Sequence, residues 1–384
     1  MLKKPQDDQG SADKREFKEI AHCGGKYCVE IRTSEDGRQV GSFGARGFAG
    51  ALFAIYALPE GVSVAMVQMG GIGDPWNPPP HPSCYPVFIA SDSEGLFGHQ
   101  CYKCEGYWRS TGPPSRWLMT CPYCGHQAES HQFLTQGQVA YVEAFCNMVS
   151  EALRACECGS HVIDMDEISR SVLQGKSLPN FYYAGESQQN RFSCEACRAK
   201  IDILGRYGYC SRCGTHNGLQ ELREELNRLR LASESRMFYE TAVKNAVGAF
   251  DSFARQIAKQ LALRVPMTLR RRRDWERKLF HDIRSRANDL SAVFDIDLFR
   301  HLSKSEEDHA VLLFHRRHVY EHNGGEADEK YIRDSGDTSV RVKQALRESE
   351  NSLRKAIELI SCMGENLHYG FHAIFPGVGK ALSA

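Results

Sequence analysis

Cys101-Tyr102-Lys103-Cys104, Cys121-Pro122-Tyr123-Cys124-Gly125, Cys194-Glu195-Ala196-Cys197 and Cys210-Ser211-Arg212-Cys213-Gly214 repeat one pattern, a pair of cysteines with two residues between them. Sixteen residues separate the first two pairs and twelve the last two, in each case enough for a hairpin that returns one pair to the other. A tight knuckle aims both sulfurs of a pair at one point, and a tetrahedral zinc ion takes four such ligands. Cys101, Cys104, Cys121 and Cys124 therefore read as one zinc ribbon, and Cys194, Cys197, Cys210 and Cys213 as a second. Four thiolates close the coordination sphere, so both Zn²⁺ ions are expected to be structural rather than catalytic. Gly125 and Gly214 follow the last cysteine of each set, where a knuckle turns to positive φ. The rival reading is a pair of redox C-x-x-C sites. Ribbon spacing, met twice, favours metal. A ribbon also serves as a platform for nucleic acid or protein, or merely as a staple.

Outside these eight, the cysteines carry less information. Cys156-Glu157-Cys158-Gly159-Ser160-His161 looks like half a site whose other ligands are not evident. Cys23 and Cys28 lack a nearby second pair, and Cys84, Cys146 and Cys362 read as ordinary thiols. The N-terminus, Met1 to Ile20, is hydrophilic and holds no apolar segment of the kind an export signal needs. Paired cysteines without such a signal point to a reducing, cytoplasmic setting. The apolar run Gly47 to Leu58 is too short to span a bilayer. The 384 residues, 42% hydrophobic and 25% charged, suit two or three globular units. Formal net charge is zero, so any contact with nucleic acid must come from a local patch.

The expected class is α+β and multidomain. Short β-branched runs at Tyr27 to Ile31, Phe48 to Leu58 and Val62 to Met69 give a small β-containing domain over 1–90, of unassigned fold, after a loose tail to about residue 20. Gly70 to Pro86 is a Gly/Pro-rich loop. Ribbon 1 covers 91–135. A helical connector covers 136–187, with Val139, Val142, Phe145, Cys146 and Val149 on one stripe. Ribbon 2 covers 188–222 and runs into a charged helix, Leu219 to Leu231. Residues 223–384 read as all-α. A long amphipathic helix, Phe238 to Leu263, is ended by Pro266, with helices at about 274–290, 306–322 and 339–368.

One stretch of that C-terminal third carries chemistry: Phe314-His315-Arg316-Arg317-His318-Val319-Tyr320-Glu321-His322-Asn323-Gly324-Gly325. Val311 to Phe314 enters it as a buried helix, and Asn-Gly-Gly stops that helix. Arg317 and His322 then lie in the last turns, where the negative end of the helix dipole favours an imidazolium.

The passage resembles the HEPN superfamily of helical domains, whose nuclease members carry Arg, often a polar residue next, then His after four to six positions. Here these are Arg317, His318 and His322. His322-Asn323-Gly324-Gly325 and Asp328-Glu329-Lys330-Tyr331 also look like one HEPN branch, and the resemblance covers roughly residues 235 to 380. It implies metal-independent RNA cleavage that leaves a cyclic phosphate, a homodimer that completes the site, and a toxin or antiviral defence role. It makes His322 the acid/base and Arg317 the transition-state stabiliser, with His318 and Asn323 positioning the phosphate or His322. The bare spacing is weak, since Arg15/His22 and Arg154/His161 meet it by accident. The plainer reading is an Arg317–Glu321 surface ion pair and a stripe of polar or metal-binding histidines at 315, 318 and 322. Arg264, Arg270 to Arg273, Arg277 and Lys278, beside Trp275, form a basic patch for RNA or a solvated helix end. An adaptor of ribbons and helices that binds nucleic acid or protein without turnover is the alternative function.

Overall fold

A computed structural model describes residues 26–37, 39–46, 52–57, 63–70, 84–91, 95–112, 118–155, 158–173, 189–232, 239–277 and 280–377. Readings on the N-terminal tail, Cys23, most of the Gly/Pro-rich loop, Cys156 and Lys278 fall outside these residues. The fold is a mixture of helices and small sheets, and the chain divides into two compact units, Met1–Gly214 and Thr215–Ala384.

The first unit begins with β1 (Lys26–Thr33), β2 (Gln39–Arg46), β3 (Leu52–Ala57), β4 (Ser63–Gly70) and β5 (Tyr85–Ala90). Strand β1 alternates strictly, sending Tyr27, Val29 and Ile31 inward. Strand β3 is central to a three-stranded antiparallel sheet, between β4 and β5. Next come β6 (Phe97–Gln100), β7 (Tyr107–Ser110), β8 (Met119–Thr120) and β9 (Gln127–Ala128), then α1 (Gln136–Arg154), β10 (Gly159–Asp164), α2 (Met165–Leu173), β11 (Gln189–Ser193) and β12 (Lys200–Leu204).

The stretch expected as a helical connector is part of the N-terminal core. Strand β10 pairs antiparallel with β1 along its whole length. Helix α1 lays Tyr141, Val142, Phe145 and Val149 onto Tyr27, Ile55, Tyr85 and Val87, and the Phe145 ring meets Tyr27 edge-on at 4.8 Å. The stripe is rotated from the expected one, because Val139 is exposed and Tyr141 is fully buried. A capping box starts α1. Thr135 Oγ1 accepts from Gln138 N at 3.2 Å, and Thr135 N donates to Gln138 Oε1 at 2.9 Å. Gln138 Nε2 also donates to Gly98 O, which ties the helix to β6.

The two ribbons share one sheet, of order β11-β12-β7-β6. Ribbon 1 supplies β6 and β7, ribbon 2 supplies β11 and β12, and Ile201↔Ser110 and Asp202↔Arg109 are the register across the join. What reads in sequence as two separate modules is joined through one four-stranded sheet.

The second unit is helical: α3 (Gly218–Ala232), α4 (Tyr239–Arg264), α5 (Leu269–Glu276), α6 (Ile283–Phe294), α7 (Lys304–His322), α8 (Glu329–Ser335) and α9 (Glu350–Ile374). Helix α4 is its axis, buried along Val243, Ala246, Val247, Phe250, Phe253, Ala254, Ile257 and Leu261. Its neighbours are α3, α5, α7 and α9. The last helix starts at Glu350, not near residue 339. Residues before it form a strap: Ala327 N donates to Gln344 O and Leu346 N to Gly325 O. Val340 and Leu346 are helix-like in pattern but pack against Val319, Ala327 and Tyr331.

Candidate functional site

Each cysteine set closes into a cluster. Cys101 Sγ lies 3.8 Å from Cys124 Sγ, and Cys104 Sγ 3.6 Å from Cys121 Sγ. In the second set Cys194 and Cys213 are 3.6 Å apart and Cys197 and Cys210 3.5 Å. Thiolates bound about 2.3 Å from a tetrahedral zinc stand about 3.8 Å from each other, so both sets fit such an ion. The four sulfurs of each set lie within 4.8 Å of one another. The knuckles are alike in their backbone. Glu105 N donates to Cys101 O, Gly125 N to Cys121 O, Arg198 N to Cys194 O and Gly214 N to Cys210 O. Each donor has positive φ: Glu105 58°, Gly125 68°, Arg198 62° and Gly214 75°. The glycines meet the expectation for a knuckle; Glu105 and Arg198 occupy the same left-handed position at a steric cost glycine avoids. Sulfurs this close share protons unequally. Hydrogen bonding with Cys104 raises the Cys121 thiol and lowers Cys124, and hydrogen bonding with Cys194 raises Cys210 and lowers Cys197 to about 7.

The two clusters are joined by more than the shared sheet. Tyr209 N donates to Pro122 O, and Thr120 N to Ser211 O, so the C-terminal knuckles of the two sites touch. The Tyr123 hydroxyl donates to Tyr107 O at 2.5 Å and accepts from Leu204 N at 3.1 Å. Arg109 and Asp202 face each other across the join as a buried ion pair, their side chains 3% and 2% exposed. A Cβ at Gly106 would overlap the Tyr123 ring, so glycine is needed where this knuckle closes. Cys158 is exposed beside Thr33 Oγ1, and among the described residues no third cluster of metal-ligating side chains forms around it or His161.

The second candidate lies at the end of α7. Ser303 and Glu306 begin the helix with a capping box. Asn323 ends it, with Gly324 and Gly325 at φ 60° and 87° and Gly325 N returning to Val319 O. The last turns therefore present His318 and His322 to solvent, with ring centroids 4.7 Å apart, and half-buried Arg317 beside them. Partial burial, with His322 and Lys330 alongside, lowers the His318 pKa. Burial likewise lowers that of His315, which lies deeper. Arg317 forms the expected ion pair with Glu321, Nη2 to Oε2 at 3.0 Å. It also has a partner that sequence spacing does not reveal. Arg317 Nη1 lies 2.9 Å from His281 Nδ1, contributed by the segment before α6. Asn323 does not reach toward His322. Its Nδ2 donates to Asp328 Oδ2 at 2.7 Å, and Asp328 in turn caps α8 through Tyr331 N.

Arg316 points the other way. It bonds Glu348 at 3.1 Å and Asp337 at 3.3 Å, while the Tyr320 and Tyr331 hydroxyls donate to the same two carboxylates. Against the cost of burial, hydrogen bonds from Ser339 and Tyr331 hold the Asp337 carboxyl down to about 2. This network clamps the strap to α7 and α8, and so fixes the loop after His322. On the strap side a cleft of about 320 Å³ opens between Lys244, Tyr320, Gly324, Gly325 and Arg347.

The basic patch is half as expected. Arg270, Arg271 and Arg273 are exposed on α5. Trp275 is 3% exposed and packs on Phe294 at 4.8 Å, so it offers no face to a base. The Arg264 guanidinium lies 4.0 Å over the Phe375 ring.

Comparison with protein-family models, with curated proteins and with solved structures finds no match for this chain. Among the described residues no helix is long and apolar enough to cross a membrane.

Proposed function

We propose that this protein is a HEPN-type endoribonuclease whose site is the end of α7, in a chain whose other unit carries a double zinc ribbon. The observation that bears the reading is the grouping of Arg317, His318 and His322 on one solvent-facing helix end, with the guanidinium held in place. RNA brings its own nucleophile, the 2′-hydroxyl, so cleavage needs proton transfer and charge stabilisation. His322, at the negative end of the helix, suits the acid that protonates the leaving oxygen. His318, whose pKa partial burial lowers with His322 and Lys330 alongside, suits a base or a group that positions the phosphate. Arg317 has five N–H donors and spends two on Glu321 and His281, which leaves donors for the phosphate. Asn323 acts on the loop through Asp328 rather than on His322. The two four-cysteine clusters hold Zn²⁺ on this reading and fix the double ribbon, whose exposed surface recruits RNA or a partner protein. Two copies of the helical unit would complete the site as a homodimer, in a toxin or antiviral defence role. Expression in a bacterial host tests it: growth arrest by the wild type is expected to vanish with Arg317→Ala and with His322→Ala. Arrest unchanged in both variants would contradict the nuclease and leave the non-catalytic adaptor.

A further inference from the structure

We propose that His281 is a positioning residue of the α7 site: its Nδ1 accepts a hydrogen bond from Arg317 Nη1 and, with Glu321 on Nη2, fixes the guanidinium at the helix end that carries His318 and His322. The activity consequence rests on the nuclease reading; the contact itself does not.

Arg317 alone is a flexible side chain. With Glu321 as sole partner it would be a partly exposed i,i+4 ion pair, worth at most a few tenths of a kcal/mol. A carboxylate partner also neutralises the charge a phosphate would need. His281 adds a second anchor without adding negative charge. The two bonds, Nη1 to His281 at 2.9 Å and Nη2 to Glu321 at 3.0 Å, fix both outer nitrogens of the fork.

The chemistry decides who donates. Arginine has no acceptor, so His281 Nδ1 must offer its lone pair. The ring is then neutral, with its proton on Nε2, and His281 is exposed, so that N–H is available to a ligand beside Arg317. The ring is also well placed by its neighbours in sequence. Phe280 before it is fully buried and donates its backbone N–H to the buried Asp251 carboxylate at 3.0 Å. Asp282 after it caps α6 by accepting from Ser285 N at 3.1 Å. An exposed histidine between two anchored residues is held where a loop residue would otherwise wander. Nothing in the spacing of Arg317, His318 and His322 points to a residue 36 positions earlier.

Two arms test this with the full-length protein. The ¹⁵N resonances of the His281 ring, assigned by their loss in His281→Asn, are expected near pH 8 to show a neutral ring with Nε2 protonated and Nδ1 accepting. In Arg317→Ala they are expected to move to the tautomer mixture of a free imidazole. Identical resonances in Arg317→Ala would overturn the proposal whether or not the protein cleaves RNA. In the cleavage arm, His281→Ala is expected to lower kcat by ~10- to 100-fold, the scale of a misplaced catalytic group, with thermal stability unchanged. His281→Gln, which keeps an acceptor, should recover part of that loss. The double variant His281→Ala/Arg317→Ala should be no worse than Arg317→Ala alone, because the one acts through the other. Losses that multiply would show that His281 acts independently. Absence of cleavage by the wild type would instead defeat the nuclease reading and leave the resonance arm to decide the contact.

Discussion

Arg317 is the side chain on which both readings of this chain turn. As a surface ion pair it would matter little; as a fork aimed at a phosphate it cannot be replaced by a point charge. Arg317→Lys is therefore expected to lose RNA cleavage almost as fully as Arg317→Ala, a drop of ~10²- to 10³-fold, since one ammonium nitrogen cannot reproduce the spread of a planar fork whose outer nitrogens reach Glu321 and His281 separately. Near wild-type rates for the lysine variant would return Arg317 to the surface pair. Buried histidines give a second residue-scale prediction, on stability. His216 is 2% exposed and His368 5%; burial drives His216 down to about 3 and His368 well below its ordinary range, with His372 and then Arg264 or His216 adding to it. His216 N donates to His372 Nε2, and His372 Nδ1 is satisfied by Phe375 O, so a proton would break the arrangement. Depressed folded values mean the unfolded chain binds more protons. The helical unit should be fully stable above about pH 6.5 and lose about 1.4 kcal/mol per pH unit per histidine below it. Acid melts monitored at helix wavelengths check this; a midpoint flat from pH 7 to about pH 4.5 would contradict it.

At the scale of elements, the two four-cysteine segments share one sheet, of order β11-β12-β7-β6. Arg109 and Asp202 join β7 to β12 with almost no solvent contact. Removing one partner breaks the buried pair, and Asp202 keeps a 3.6 Å contact with Arg191, so Asp202→Ala should cost about 3–5 kcal/mol and Arg109→Ala less. A double replacement by apolar residues of like size should cost much less, and the denaturant midpoints of the three variants decide it. The cysteine spacing makes each four-cysteine cluster legible, because two knuckles at hairpin distance bring their four sulfurs together. That the ribbons share a sheet is not legible. The pairing of Asp202 with Arg109 spans 93 residues, and neither strand pattern names its partner. Helices α3, α4 and α7 are readable from period and caps. The start of α9 is not, since Val340 and Leu346 keep helical spacing while the backbone of Lys343, Gln344 and Leu346 pairs with Gly325 and Ala327. His281 escapes for a similar reason. It lies on no periodic face, and its importance exists only where α6 and α7 come together.

At the scale of the molecule, the two four-cysteine clusters lie in one unit and the residues proposed for catalysis in the other. Metal analysis is expected to give two zinc ions per chain. Because the clusters touch through Thr120–Ser211 and Tyr209–Pro122, Cys194→Ser should weaken the hold of the first site as well as empty the second. A loss confined to one ion, with the other unchanged in affinity, would mean the ribbons load independently. The measurement that bears most directly on the whole account is cleavage of end-labelled RNA by the purified protein in excess EDTA, wild type beside Arg317→Ala and His322→Ala. Wild-type cleavage that leaves 2′,3′-cyclic phosphate ends and is lost in both variants is the expected result. Cleavage that survives both substitutions, or that EDTA abolishes while zinc stays bound at the cysteines, would contradict it.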